Sequence, residues 1–393
     1  MELISVSDAK KLIIDNCTLN KVKELSLIEC IGFVLAEKIY SNVNNPPFDQ
    51  AAMDGYAFSF DDWDGKSSFH VAGKIQAGKY FSEIIKPLDA FRIFTGAPLP
   101  LGADTVVMQE KTRFHDNVIV IEDKQLIKGS NVRLEGSQTK EGDLVMNEGQ
   151  QITPAAISFL ASIGISNLPV YANLVVSIIV TGDELMPLGG TLAKGQIYES
   201  NSFGLIAALK QLNISPVSVD IVRDDELEIT EIINTRHSSD LIILTGGVSV
   251  GEYDFVNSAM ERCGIEKVFY KVKQKPGKPI YFGKKNGTLV LALPGNPAAV
   301  MTCFYEYAVP LIGKFTHKEY FKTVQLPLSD DFIKKAGLTF FLKGKILNQQ
   351  VTILKNQESN MMNSFAIADC IIELEEQKEC FVKGDLVSVL LIV

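Results

Sequence analysis

The sequence predicts an α/β protein, with a central doubly wound α/β domain, N-terminal helical and β units, and a C-terminal β-barrel-like domain. Three apolar runs between residues 174 and 297, rich in β-branched residues, carry the prediction. Leu174 to Val180 empties into Thr181-Gly182-Asp183-Glu184, Leu241 to Leu244 into Thr245-Gly246-Gly247-Val248-Ser249, and Leu289 to Leu293 into Pro294-Gly295-Asn296-Pro297. Unbroken apolar runs suit strands covered on both faces of a parallel sheet. Helical patterns alternate with them, and short strand-like runs lie on either side. Ligands in such sheets bind outside the carboxyl ends of the strands, so the glycine turns mark the expected cleft.

Bulk properties narrow the choice. A chain of 393 residues exceeds one ordinary core, and 46% hydrophobic residues can fill several. A net charge of -9 argues against nucleic acid as the main partner. Cysteines at 17, 30, 263, 303, 370 and 380 form no CxxC pair, which predicts unpaired buried thiols and a reducing cytoplasm. The start Met1-Glu2-Leu3-Ile4-Ser5 lacks the basic opening of a signal peptide, and no apolar stretch reaches membrane-spanning length.

Along the chain, residues 5 to 38 read as two helices, one capped by Ser7-Asp8 before Ala9 to Ile14 and one from Leu27 to Ile39. Asn42 to Pro47 breaks the pattern. Short alternating runs such as Phe69 to Gly73 and Asn117 to Glu122 then indicate a small β-rich unit. Pro154 opens a helix reaching Ile163. The central segment reads as strand 174–180, helix 202–212, strand 216–222, helix 224–236, strand 241–244, helix 254–263, strand 267–273, a lysine turn, strand 289–293 and helix 297–312. Short strands return after Lys314. The expected domains are therefore 1–45 with 141–170, 46–140, 171–315 and 316–393.

Glycines directly after strands let backbone N–H groups approach an anion, and a following helix N-terminus favours negative charge. Neither GxxxxGK[ST] nor GxGxxG stands in the right strand-to-helix context. Asp183, Glu184, Asp224, Asp225, Glu252 and Asp254 offer hard oxygen ligands for Mg²⁺, or simply cap helices. Lys271, Lys273 and Lys275 alternate onto one side if the strand continues, and Pro276-Gly277 lets Lys278 converge; a solvated basic face is the plainer alternative. Gly247 to Gly251 also fits GxSxG, but a serine hydrolase needs a later histidine, and His317 lies beyond the α/β segment.

Taken with Pro47-Phe48-Asp49-Gln50-Ala51-Ala52-Met53-Asp54-Gly55-Tyr56-Ala57 and Phe94-Thr95-Gly96-Ala97-Pro98-Leu99-Pro100, these motifs resemble the MoeA family of molybdopterin molybdenumtransferases, in the family's order over nearly the whole chain. The resemblance implies insertion of molybdate into adenylylated molybdopterin with release of AMP, Mg²⁺ as cofactor, and an elongated homodimer served by a molybdopterin adenylyltransferase partner. It implies catalytic roles for Asp54, Glu184, Asp254, Lys271 and Lys275, with Glu184 and Asp254 on the metal and Asp54 approaching from the second polypeptide. Substrate contacts would come from Thr95, Arg133, Thr181, Gly182, Asp224, Gly246, Gly247, Ser249, Pro294, Gly295, Asn296 and Pro297. Molybdate would meet Lys278, Pro279, Lys343 and Ser359.

Three positions depart from the family pattern. Lys343 stands where arginine is frequent, replacing a two-pronged donor by a point charge. Gln138 stands where aspartate is frequent, and Ala299 where serine is common. Gln138 and Lys343 leave open a rival reading from another class, a non-catalytic scaffold that binds the pterin or a partner.

Overall fold

The computed structural model describes residues 3–18, 20–248 and 255–393. The chain forms two compact units, Met1–Lys23 with Tyr171–Val393, and Glu24–Val170.

The larger unit is built on a six-stranded sheet in the spatial order Ser218–Val222, Val176–Thr181, Leu241–Thr245, Thr288–Leu293, Tyr281–Lys285, Glu266–Tyr270. The first four strands pair in parallel, and Tyr281–Lys285 runs antiparallel to both its neighbours. The chain leaves Val176–Thr181 toward one sheet edge and returns on its other side at Leu241–Thr245. Strand order therefore reverses between these two strands, the position at which α/β sheets open a crevice.

Burial explains why the inner strands Val176–Thr181, Leu241–Thr245 and Thr288–Leu293 show no polar alternation, whereas the edge strand Ser218–Val222 does. Ile178, Val180, Leu241, Ile243, Leu289 and Leu291 pack into the core on one face, and Ile179, Ile242, Leu244, Val290 and Ala292 into the core on the other. Each fully buried aliphatic side chain contributes about 1.5–3 kcal/mol, and the polar Ser177 is accommodated by hydrogen bonding with Ser239 and Ser218 at 2.8 and 2.9 Å.

The lysine segment departs from the expected continuous strand. The strand ends at Tyr270 because Lys271 adopts a φ of 71°, turning the chain out of the sheet. Lys271, Lys273 and Lys275 therefore do not share one strand face. Gln274–Lys275 instead pairs in parallel with Thr339–Phe340 of the C-terminal β structure. There Gln350–Ile353, Thr339–Leu347, Cys370–Leu374, Leu386–Leu391 and Thr323–Pro327 pair antiparallel in succession. A bridge between Leu328 and Val351 closes the ring.

Several helix boundaries also shift. Ser5, rather than Ser7-Asp8, caps helix Val6–Asn16, its hydroxyl accepting from the Asp8 N–H at 3.0 Å. The expected helix from Leu27 to Ile39 shrinks to a single 3-10 turn, Leu27–Cys30. Gly32 follows at φ 78°, after which Val34 and Leu35 make β-bridges to Gln151 and Val170. The helix after Pro297 widens into a π turn at Phe304–Ala308 before continuing as Val309–Thr316. Pro310 has no N–H to give the Glu306 carbonyl, a sufficient cause for the wider turn.

In the smaller unit, six strands pair in the order Thr105–Met108, Gly55–Phe58, Asp89–Ile93, Ser68–Ile75, Val118–Ile121, Thr112–His115. Helix Pro154–Ser162 begins as expected, with Thr153 as its cap and Pro154 in the first turn. None of the six cysteines forms a disulfide; five are buried, while Cys380 is exposed, contrary to the expectation for a buried set. No helix among the described residues is long and apolar enough to cross a membrane.

Candidate active site

The three glycine turns meet around one cavity of about 630 Å³. Thr181, Glu184, Asp224, Gly246, Gly247, Gly295, Asn296 and Pro297 line it. Gly246 takes φ 96°, and a Cβ there would run into the Thr181 carbonyl, so only glycine lets the second turn close on the first. Asn201 ties the second turn to the third: its Nδ2 donates to Thr245 Oγ1 at 3.2 Å and to the Gly295 carbonyl at 2.8 Å. Thr245 Oγ1 in turn donates to the Pro294 carbonyl at 2.9 Å.

What this framework leaves undone is informative. Among the described residues, Thr181 Oγ1, Asn201 Oδ1 and Asp224 Oδ1 are buried and find no hydrogen-bond partner. Each such atom costs about 1–3 kcal/mol when nothing satisfies it, and all three residues line the same cavity. A side chain at Gly247 would lie 2.9 Å from Thr181 Oγ1 and 3.5 Å from Asp224 Oδ1, so the missing Cβ keeps that space open. A polar ligand is the economical explanation.

The two adjacent aspartates divide their labour. Asp225 caps helix Glu226–Thr235, accepting from the Leu227 and Glu228 N–H groups at 2.9 Å each. Capping therefore does not account for Asp224, whose carboxylate turns to the cavity. Asp224 and Glu184 supply two hard oxygen donors there, a donor set that suits Mg²⁺. Among the described residues no group of three or more histidines, cysteines and acids is arranged to hold a metal. Ser249 and Asp254 lie outside the described residues.

Beside the third turn stands the lysine loop. Gly277 lies against Pro294, where an added Cβ would sit 3.6 Å from the proline ring. Lys275 Nζ lies over the Phe340 ring at 5.3 Å, and Lys271 Nζ over Tyr270 at 4.7 Å. From the C-terminal β structure, Ser359 reaches the same turn: Asn296 Nδ2 donates to its Oγ at 3.0 Å, and its carbonyl accepts from the Ala298 and Ala299 N–H groups.

Three sequence profiles cover most of the chain: the MoeA N-terminal region (domains I and II) at 4–164, a probable molybdopterin binding domain at 177–314, and the MoeA C-terminal region (domain IV) at 325–392. A molybdopterin molybdenumtransferase of Haemophilus influenzae is 33% identical over 374 residues, covering 93% of this chain and 92% of its own. The chain belongs to the MoeA family. A Staphylococcus epidermidis molybdopterin molybdenumtransferase is 32% identical over 99% of the chain and 95% of its own length. A solved MoeA protein of Pyrococcus horikoshii superposes with a TM-score of 0.87 at 26% identity, covering 100% of both chains.

Within this MoeA-family fold, Asp54, Thr95 and Arg133 belong to the smaller unit. Asp54 Oδ1 accepts from both the Thr95 N–H and the Thr95 hydroxyl, and these bonds hold its pKa below the ordinary carboxylate value. Arg133 is exposed on the short strand Val132–Arg133, opposite Gln50. Lys343 is placed differently from the molybdate contact that family resemblance implied. It is 4% exposed, and its ammonium points at the carbonyls of Asn356, Glu358 and Met361, at 2.8, 3.3 and 3.1 Å. Burial lowers its pKa. Lys343 thus ties down the loop that presents Ser359.

Sequence reasoning passed over Glu199 and Asn201. Glu199, 1% exposed, accepts from the Ser202 N–H and hydroxyl at the start of helix Asn201–Gln211. The signal was available in Tyr198-Glu199-Ser200-Asn201-Ser202, a polar cluster at a helix N-terminus following the first strand.

Proposed function

We propose that this MoeA-family chain is a molybdopterin molybdenumtransferase, inserting molybdate into the dithiolene of adenylylated molybdopterin with release of AMP. The observation that carries the reading is the convergence of Thr181 Oγ1, Asn201 Oδ1 and Asp224 Oδ1, buried and unpartnered among the described residues, on one cavity rimmed by three glycine turns. The names of its full-length relatives support the same conclusion.

In this reading the turns of Gly182, Gly246, Gly247 and Gly295 hold the pterin and its phosphate, with Ser249 as a hydroxyl donor. Lys275 and Lys278 draw in molybdate, itself an oxyanion, and Lys271 adds positive charge. Glu184 and Asp224, with Asp254, would hold Mg²⁺, which supplies charge neutralisation at the phosphate when bound. Fixed donors aimed at the phosphate favour its cleavage without a covalent enzyme intermediate. Assembly as a homodimer that brings Asp54 from a second chain, delivery of substrate by a molybdopterin adenylyltransferase, and a cytoplasmic setting complete the proposal.

Purified protein supplied with adenylylated molybdopterin, Mg²⁺ and molybdate should yield AMP and active cofactor; absence of AMP would overturn the assignment. Lys343 gives the scaffold reading its one specific support, since its ammonium is engaged by the loop carbonyls. A scaffold would retain pterin through purification and release no AMP.

A further inference from the structure

The lysine loop has an acceptor problem to solve. A loop that receives an oxyanion must keep its own carbonyl oxygens away from it, because lone pairs facing a negative ligand repel it. Three consecutive carbonyls in this loop accept hydrogen bonds from the protein. Pro276 and Gly277 accept from Gln274 Nε2 at 3.1 and 3.0 Å, and Lys278 accepts from the Val272 N–H at 3.0 Å.

Gln274 is 1% exposed, and one amide nitrogen serves two of these carbonyls. An amide can serve carbonyls only with its NH2 end toward them, and a glutamine side chain can turn either way. Tyr307 selects the orientation: its hydroxyl donates to Gln274 Oε1. Tyr307 is wholly buried and lies in the π turn Phe304–Ala308. Burial keeps its phenol protonated, and therefore a donor. Cys303 closes the arrangement, its thiol 3.4 Å from Gln274 Nε2. Gly277 sits at φ 83°, and a Cβ there would come within 2.5 Å of that sulfur.

We infer that Gln274, oriented by Tyr307, is a positioning residue for the oxyanion substrate: it turns the loop carbonyls inward, so that the loop offers donors rather than acceptors to molybdate. The inference rests on the molybdenumtransferase reading above. It also assigns the π turn a task, since that turn carries Tyr307.

The test compares the parent with Tyr307→Phe, Gln274→Leu and the double variant in full-length protein. Initial rates of AMP release are measured against molybdate concentration and, separately, against adenylylated pterin, with melting temperatures alongside. Direct molybdate binding is followed by titration calorimetry. Loss of one oriented hydrogen bond predicts a rise of about tenfold in the KM and Kd for molybdate in Tyr307→Phe, with the KM for pterin unchanged. The double variant should be no worse than Gln274→Leu alone, because the two residues act in series. Unchanged molybdate parameters in an active Tyr307→Phe protein would overturn the inference and leave the functional reading intact. So would equal rises in both KM values that track a fall in melting temperature. A parent protein that neither releases AMP nor binds molybdate would overturn both.

Discussion

Thr95 gives both its backbone N–H and its hydroxyl to a single oxygen of Asp54, each at 2.8 Å. The second carboxylate oxygen takes no part in that pair of bonds. Asp54 is thereby fixed in direction and held ionised to a lower pH than a free carboxylate.

That charge can be followed by titration. Because the folded pKa of Asp54 is depressed, its stabilising contribution is present above the ordinary value of 3.8 and is lost as pH falls through the lowered one. Thr95→Val removes the hydroxyl donor and should move the titration up toward 3.8. Carboxyl carbon-13 NMR would follow it; an identical midpoint in parent and variant would show that the Thr95 hydroxyl does not hold the charge.

Asp224 and Asp225 are neighbours with separable effects. Asp225→Ala should lower stability by about 1 kcal/mol through loss of the helix cap while retaining most AMP release. Asp224→Asn should leave melting nearly unchanged and reduce AMP release by at least about a hundredfold. Thermal unfolding paired with initial rates distinguishes the two; an active Asp224→Asn protein would remove that carboxylate from the chemistry.

Lys343→Met removes a buried ammonium that serves three carbonyls. The loop 356–361 should loosen, exposing Ser359 and the start of helix Pro297–Cys303 to faster amide exchange. Stability should fall by about 1–3 kcal/mol, since the carbonyls lose their donor. If hydrogen exchange at Ala298 and Ala299 stays at the parent rate, Lys343 does not hold that loop.

Lys10 bonds both Glu306, at 2.6 Å, and Glu373, at 3.1 Å. Burial raises the pKa of Glu306 despite the lysine, so its charged form already depends on that partner. Lys10→Met should cost about 3 kcal/mol at neutral pH. An acid with a raised folded pKa loses stability as pH climbs above its unfolded value, here 4.5, so the deficit should be small near pH 4.5 and grow toward neutrality. Denaturant unfolding at several pH values would expose a pH-independent deficit, which would contradict this account.

Much of the cleft was legible because its signals are local. A both-face-buried strand is largely apolar, and a turn closing on a neighbouring strand must be glycine, so Val176–Thr181, apolar but for Ser177 and Thr181, and Gly246 announced themselves. Lys271 did not. Its left-handed conformation breaks a run that looked continuous, and nothing in Tyr270-Lys271-Val272-Lys273 marks the change. The roles of Lys343 and Gln274 were equally hidden, since each depends on carbonyls whose direction is set by backbone folding elsewhere. Asp224 and Asp225 show a middle case: the sequence places both at a helix start, and only geometry says which one caps.

Gln274 and Lys275 leave the α/β sheet's last hairpin and are hydrogen-bonded into the C-terminal ring beside Thr339 and Phe340. The two parts are consequently not interchangeable modules. Cutting the chain after Thr316 would strip the lysine loop of its flanking strand, and a transplanted ring would arrive with a foreign edge against it. Shuffling domains in this chain should therefore disturb the lysine loop even when every lysine is retained.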